Sequence, residues 1–157
     1  MFKNIKNWFH YEPFNIKYSA GIVIVLKKEK VLLCHPTGHK WFSSYSFPKG
    51  QLDKNETHLQ AALRECQEET SIIIDIKQIS NLNTPIIVEY KNKKGQKYKI
   101  VYLYTVYIND ISEIKISSEI LPTENLQIDE VDWAGFLTFD EAKKRIFHRF
   151  YQVLDMI

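Results

Sequence analysis

The sequence predicts an α/β fold, and three observations carry that prediction. β-branched apolar runs recur at hairpin spacing, a capped amphipathic helix interrupts them between Thr57 and Thr70, and a second amphipathic segment ends the chain. With 157 residues, 45% hydrophobic and 25% charged, the chain is long enough for one ordinary core and short of two typical domains. One domain is therefore expected over residues 1–157. Residues 1–17 read as an N-terminal extension, whose Trp8, Phe9, Tyr11 and Phe14 pack on that domain or make a dimer contact.

Taken in order, Ile22 to Leu26 and Val31 to Cys34 are apolar and rich in β-branched residues, and the polar Lys27-Lys28-Glu29-Lys30 between them has hairpin length. Two antiparallel strands follow. His35 to Gly50 mixes Pro36, Gly38 and Pro48 with Trp41, Phe42, Tyr45 and Phe47, the composition of a shaped loop. Thr57 with Gln60 matches a capping box, and Leu59, Leu63, Cys66 and Thr70 form one helical stripe. Ile72 to Ile79, Pro85 to Tyr90 and Ile100 to Ile108 read as strands, the last two joined by a Lys-rich loop containing Gly95. Val131 to Phe136 reads as a further short strand. Thr138 to Leu154 is expected as one helix, opened by a Thr138/Glu141 capping box, with Ala142, Ile146, Phe150 and Val153 on its buried face.

Lys and Arg number 21 against 19 Asp and Glu, so no global field draws a polyanion and any basic site must be local. The longest apolar run, Ala20 to Leu26, is too short to span a bilayer, and Met1 to Tyr18 lacks the apolar segment of a signal peptide. Cys34 and Cys66 show no Cys-x-x-Cys spacing. A cytoplasmic protein without membrane contact is expected.

Glu65, Glu68 and Glu69 stand at i, i+3 and i+4 of the first helix, on an arc of roughly 100° opposite Leu59 and Leu63. Such clustering is self-repulsive unless a positive charge sits within it. Hard divalent cations favour oxygen ligands of this kind, which points to Mg²⁺ or Mn²⁺.

Five residues separate Gly50 from Glu56, and seven separate Glu56 from Arg64-Glu65-Cys66-Gln67-Glu68-Glu69-Thr70-Ser71-Ile72. This resembles the Nudix box, in which G, five residues, E and seven residues precede R-E-U-x-E-E-x-G-U, with U apolar. Eight of the nine defined positions match when Cys66 serves as the first U. The departure is Ser71, at the position where family helices use Gly to exit in a left-handed conformation; Ser can adopt that geometry at modest strain.

The resemblance implies an α/β/α sandwich with a central mixed sheet, and metal-dependent hydrolysis of a phosphoanhydride in a nucleoside diphosphate derivative. Glu65, Glu68 and Glu69 would take the ligand roles, with the Gly50 backbone carbonyl, while Arg64 and Glu56 form a supporting ion pair. The general base is left open among Glu65, Glu69 and an acid outside the box, Glu130 or Asp129.

Ser46-Phe47-Pro48-Lys49-Gly50 resembles the entry to the box in diadenosine polyphosphate hydrolases and RNA 5′-pyrophosphohydrolases. Lys49 is thereby implied in substrate binding. Tyr90, eighteen residues past Ile72, resembles a marker of the dinucleoside polyphosphate group and could stack on a base. Beside it Lys97 and Lys99, in a cluster with Lys91, Lys93 and Lys94, could hold distal phosphates. His35, His39, Trp41 and Tyr45 suit either base recognition or loop packing. The substrates expected are dinucleoside polyphosphates or 5′-triphosphorylated RNA. The alternatives are house-cleaning of nucleoside triphosphates, nucleotide-sugar cleavage, or a non-catalytic nucleotide- or RNA-binding module.

Overall fold

A computed structural model describes residues 16–157, and its organising element is strand β1, Lys17–Leu26. From Ser19 to Leu26 every residue of β1 is buried, because side chains of opposite parity enter cores on opposite faces of the sheet. Ala20, Ile22 and Ile24 meet Ala61, Ala62 and Cys66 of helix α1, His58–Thr70. Val23 and Val25 meet Phe47, Val88, Leu103, Ile146 and Phe150 on the other side.

β2 (Lys30–Pro36), β3 (Lys49–Gln51), β4 (Ile86–Lys91), β5 (Lys97–Ile108) and β6 (Val131–Thr138) complete a sheet of order β4-β5-β1-β2-β6, with β3 paired to β1. The β1–β5 ladder is parallel, from Lys17↔Lys99 to Leu26↔Ile108, and the other strand pairs are antiparallel. This is the mixed, helix-flanked sheet expected. β2 pairs with β1 only at Val25↔Val31 and Leu26↔Lys30, then diverges, leaving room for β3 to pair with Ser19–Gly21. That divergence carries Lys49 and Gly50 to the edge of α1.

The α1 capping box forms as predicted, Thr57 Oγ1 accepting from Gln60 N at 3.1 Å and Gln60 Oε1 from Thr57 N at 2.9 Å. Ser71 ends the helix in the left-handed region at φ 64°, with its N–H on the Gln67 carbonyl and its hydroxyl on that of Asn125. The predicted left-handed exit thus occurs with Ser in the place of Gly.

Four expectations need correction. Ile72 to Ile79 is not a strand: Ile72 and Ile74 alternate into the core, but Asp75 then caps a 3₁₀ turn at Ile76–Gln78 and only Ile79 bridges Val106. Thr138 to Leu154 is not one helix. α2 (Phe139–Arg145) ends at an extended Ile146, a 3₁₀ turn follows at His148–Phe150, and α3 is Tyr151–Leu154. Tertiary hydrogen bonds win there: the Arg145 carbonyl accepts from Ser44 and Tyr45 N–H, and Phe147 N–H donates to the Tyr45 carbonyl. Ala142, Ile146, Phe150 and Val153 still share one core. Only half of the second capping box forms, because the Glu141 carboxylate turns to Lys144 and Arg145.

Finally, Lys17 opens β1, so it does not belong to an extension; Trp8, Phe9, Tyr11 and Phe14 lie outside the described residues.

Candidate active site

Gly50 and Arg64 fix the position of the acidic helix face. A Cβ on Gly50 would fall 2.2–2.4 Å from the Glu65 carboxyl group, so only glycine leaves that carboxyl in its place. Arg64 holds Glu56 through a two-pronged contact, Nε to Oε2 at 2.7 Å and Nη2 to Oε1 at 2.9 Å, the predicted ion pair. Its other N–H groups reach Glu65 at 2.9 Å, Glu68 at 3.1 Å and the Gln51 carbonyl at 3.0 Å. The Arg64 contact holds the Glu56 carboxyl below its ordinary range.

Glu65 and Glu69 face the sheet, not solvent, at 7% and 6% exposure. Glu130 joins them from the loop before β6: one carboxylate oxygen from each of Glu65, Glu69 and Glu130 lies within 4.8 Å of the others. Glu68 is exposed and bound to Arg64 at the edge of this trio, and Asp129 is exposed outside it. Burial pushes Glu69 up to about 8, aided by Glu65 and Glu130 and opposed by Lys49, whose backbone N–H donates to Glu69 Oε2 at 3.3 Å. Burial raises Glu65 as well, against the pull of Arg64. Burial likewise lowers the Lys49 ammonium, and the nearby Glu69 and Glu65 partly restore it. An all-oxygen set of two buried carboxylates and one exposed one, this short of compensating charge, fits a hard divalent cation, with Glu65, Glu69 and Glu130 as the donors that converge.

Beside the trio lies a cavity of about 640 Å³, lined by Lys40, Lys49, Lys99, His39, His148 and Tyr90 among others, with no carboxylate among its lining residues. Lys99, expected to hold distal phosphates, lines it, and burial next to Lys49 and Lys17 lowers it to about 8. Lys97 does not: it is exposed and paired with Glu89 at 3.0 Å, an ion the lysine cluster meets across the hairpin. Tyr90 lines the cavity only as wall. It is 7% exposed, with its phenol pushed up to about 12 by burial, and its ring is flanked by Lys99 at 5.2 Å and Arg149 at 4.8 Å. The surface expected to stack on a base is therefore covered.

The pre-box loop splits in two. His35 and Tyr45 are buried packing residues, whereas Trp41 is half open to solvent and His39 lines the cavity. Sequence reading missed Lys40, Asp132, His148 and Arg149. No local pattern marks Asp132, which binds His35 across 97 residues, or Lys40 in the loop after β2, while His148 and Arg149 reach the site only because the last helix breaks.

A family model described as the NUDIX domain matches residues 16–153. An RNA pyrophosphohydrolase of Erythrobacter litoralis is 26% identical over 69 residues, a match covering 44% of this chain and 42% of that protein. An Ap4A hydrolase of C. elegans superposes with a TM-score of 0.58 at 21% identity, covering 90% of this chain and 100% of that one. A bifunctional NMN adenylyltransferase/ADP ribose pyrophosphatase of Francisella tularensis, crystallised with AMP and a Mn ion, superposes with a TM-score of 0.63 at 16% identity. That superposition covers 99% of this chain and 44% of the Francisella protein, so here and in the RNA pyrophosphohydrolase less than half of the relative is spanned.

Proposed function

The chain belongs to the NUDIX domain family, and from that premise we propose a metal-dependent pyrophosphohydrolase, acting as one domain, that cleaves a phosphoanhydride within a long phosphate chain. The substrates proposed are dinucleoside polyphosphates or 5′-triphosphorylated RNA. One observation carries the reading: the convergent trio of buried Glu65 and Glu69 with exposed Glu130 adjoins a cavity that holds lysines and histidines but no acid. Lys49 joins the two, its N–H on Glu69 and its side chain in the cavity wall. The Erythrobacter RNA pyrophosphohydrolase and the C. elegans Ap4A hydrolase are relatives whose names support the same substrate class.

In this reading Glu65, Glu68, Glu69, Glu130 and the Gly50 carbonyl hold Mg²⁺ or Mn²⁺, and Arg64 with Glu56 keeps the helix face in place. When bound, the cation would supply charge screening at the phosphates and would lower the pKa of an attacking water. Glu65 or Glu69 accepts that water's proton at a carboxylate oxygen, made more basic by burial; Glu130, from outside the box, is the third candidate. Lys49 and Lys99 meet the negative oxygens of the chain as point charges, and Lys40 also lines the cavity.

A cytoplasmic setting belongs to the same proposal. Cys34 and Cys66 are buried free thiols, as a reducing compartment permits, and no helix among the described residues is long and apolar enough to cross a membrane.

The test is product release with Mg²⁺ from diadenosine tetraphosphate, 5′-triphosphate RNA, deoxynucleoside triphosphates and ADP-ribose, with Glu69→Gln as control. The first two should react fastest and the control should be inactive. Faster cleavage of ADP-ribose or deoxynucleoside triphosphates would replace the long-chain reading with nucleotide-sugar or house-cleaning activity. Four inert substrates would leave a binding module.

A further inference from the structure

We propose that Trp41 is a stacking shelf for the substrate's nucleobase, held in position from behind by His35 and Asp132. The inference rests on the reading of the cavity as a nucleotide phosphate site. His35 is fully buried at the end of β2, and both of its ring nitrogens are committed. Nδ1 meets Asp132 Oδ1 at 2.5 Å, and Nε2 meets the carbonyls of His39 and Lys40 at 3.0 Å each. This ring cannot turn without breaking those contacts.

The Trp41 indole lies flat on it, 3.6 Å between ring centroids and 5° from parallel, with the Tyr45 ring steeply tilted to it at 6.2 Å between centroids. Trp41 is nevertheless 53% exposed. One face of the indole is thus fixed on a rigid support while a large part of its surface stays in water. Loop packing accounts for the covered face only. An aromatic plane that is oriented in advance and open on one side is what base stacking requires, and it tolerates any base because every base has a π-face.

The shelf also stands in the right place. The two residues before it, His39 and Lys40, line the cavity, and the same carbonyls that bind His35 belong to them. At the loop's near end Thr37 N–H donates to the Glu130 carbonyl at 3.0 Å, tying the loop to the acidic trio. A nucleotide whose phosphates run from the trio along Lys49 and Lys40 therefore carries its base toward Trp41. Overlap with the indole is larger for a purine than for a pyrimidine, so purines should bind better.

Equilibrium titration tests this with three probes: ATP and CTP carrying methylene bridges in place of both anhydride oxygens, and inorganic tripolyphosphate, which has no base. Mg²⁺ is present throughout. Trp41→Ala should weaken the ATP analogue about tenfold and tripolyphosphate less than about twofold, with a thermal midpoint matching the wild type. Trp41→Phe should restore most of the loss, and the wild type should prefer the ATP analogue to the CTP analogue. Equal weakening of nucleotide and tripolyphosphate by Trp41→Ala would assign Trp41 to loop packing and overturn the shelf. So would an unchanged affinity for the ATP analogue. A wild type that binds tripolyphosphate as tightly as the ATP analogue would overturn the shelf but leave the phosphate site standing, whereas a wild type that binds none of the three removes the phosphate reading and the shelf with it.

Discussion

The acidic face of α1 and the wall of the cavity beside it meet at Lys49, yet they are built by different means. The first is one continuous segment, Gly50 to Ser71, in which helical spacing and a single glycine set nearly every distance. The second is assembled from the 36–46 loop, the β4–β5 hairpin and the broken C-terminal segment, three pieces separated by many tens of residues. Local periodicity writes the first into the sequence. Long-range hydrogen bonds decide the second, and those leave no spacing to read.

The comparison breaks most sharply on the acidic side. Glu69→Gln keeps the shape and removes a buried charge from the convergent trio, so metal-dependent turnover should fall by roughly 100-fold or more, measured as initial rate against Mg²⁺ concentration. Gly50→Ala places a methyl carbon where the Glu65 carboxyl group lies. Glu65 must move, and we expect turnover to fall by at least about tenfold with a stability loss of about 1–3 kcal/mol, read by activity and denaturant titration. A Gly50→Ala protein with wild-type rate would show that Glu65 can leave its position without consequence, and would end the argument for close approach.

The acidic cluster also has a signature in stability. Glu69 has a folded-state value of about 8 against an ordinary 4.5, so between those pH values the folded state binds more protons than the unfolded state. The contribution of Glu69 to the stability of the metal-free protein is then fully present below about pH 4.5 and is lost as pH rises toward 8. Lys49, lowered from 10.5, acts in the opposite sense at alkaline pH. In chelator the thermal midpoint should drop from pH 5 to pH 8, and Mg²⁺ should raise it more at pH 8 than at pH 5. Equal stabilisation by Mg²⁺ at both pH values would place the cation away from Glu69.

How much the sequence disclosed follows the same division. The hairpin, the capping box on α1, the Arg64–Glu56 pair and the left-handed exit at Ser71 were all legible, because each is settled within a few residues or by a motif of fixed spacing. The strand expected at Ile72–Ile79 failed because Asp75 and Gln78 cap a 3₁₀ turn that alternation alone does not reveal. The single C-terminal helix failed although its buried face was right, since Ala142, Ile146, Phe150 and Val153 satisfy the same core whether or not the backbone bonds between them are helical. What breaks it is the competition of Ser44 and Tyr45 for the Arg145 carbonyl, a partner 100 residues away. That break brings Phe147, His148 and Phe150 to the cavity and Arg149 onto Tyr90. Glu130 was recognisable as an acid near the site, but only the loop before β6 places it beside Glu65 and Glu69 in preference to Asp129.

Two lysines of one strand give the finest test of the cavity wall. Lys97 and Lys99 are two residues apart on β5 and indistinguishable by composition, yet Lys97 is exposed and neutralised by Glu89 at 3.0 Å. Lys99 is half-buried in the wall beside Lys49 and lowered to about 8 by burial and by its cationic neighbours. A cation kept in an unfavourable setting gains most when an anion arrives, because that anion removes both the repulsion and part of the lost hydration. Lys99→Ala should therefore raise KM for a polyphosphate substrate about tenfold with little change in kcat. Lys97→Ala should leave both within about twofold, since an exposed ion pair contributes little. Equal effects at the two positions would mean that the hairpin acts as a diffuse basic field and that the cavity does not set the path of the phosphate chain.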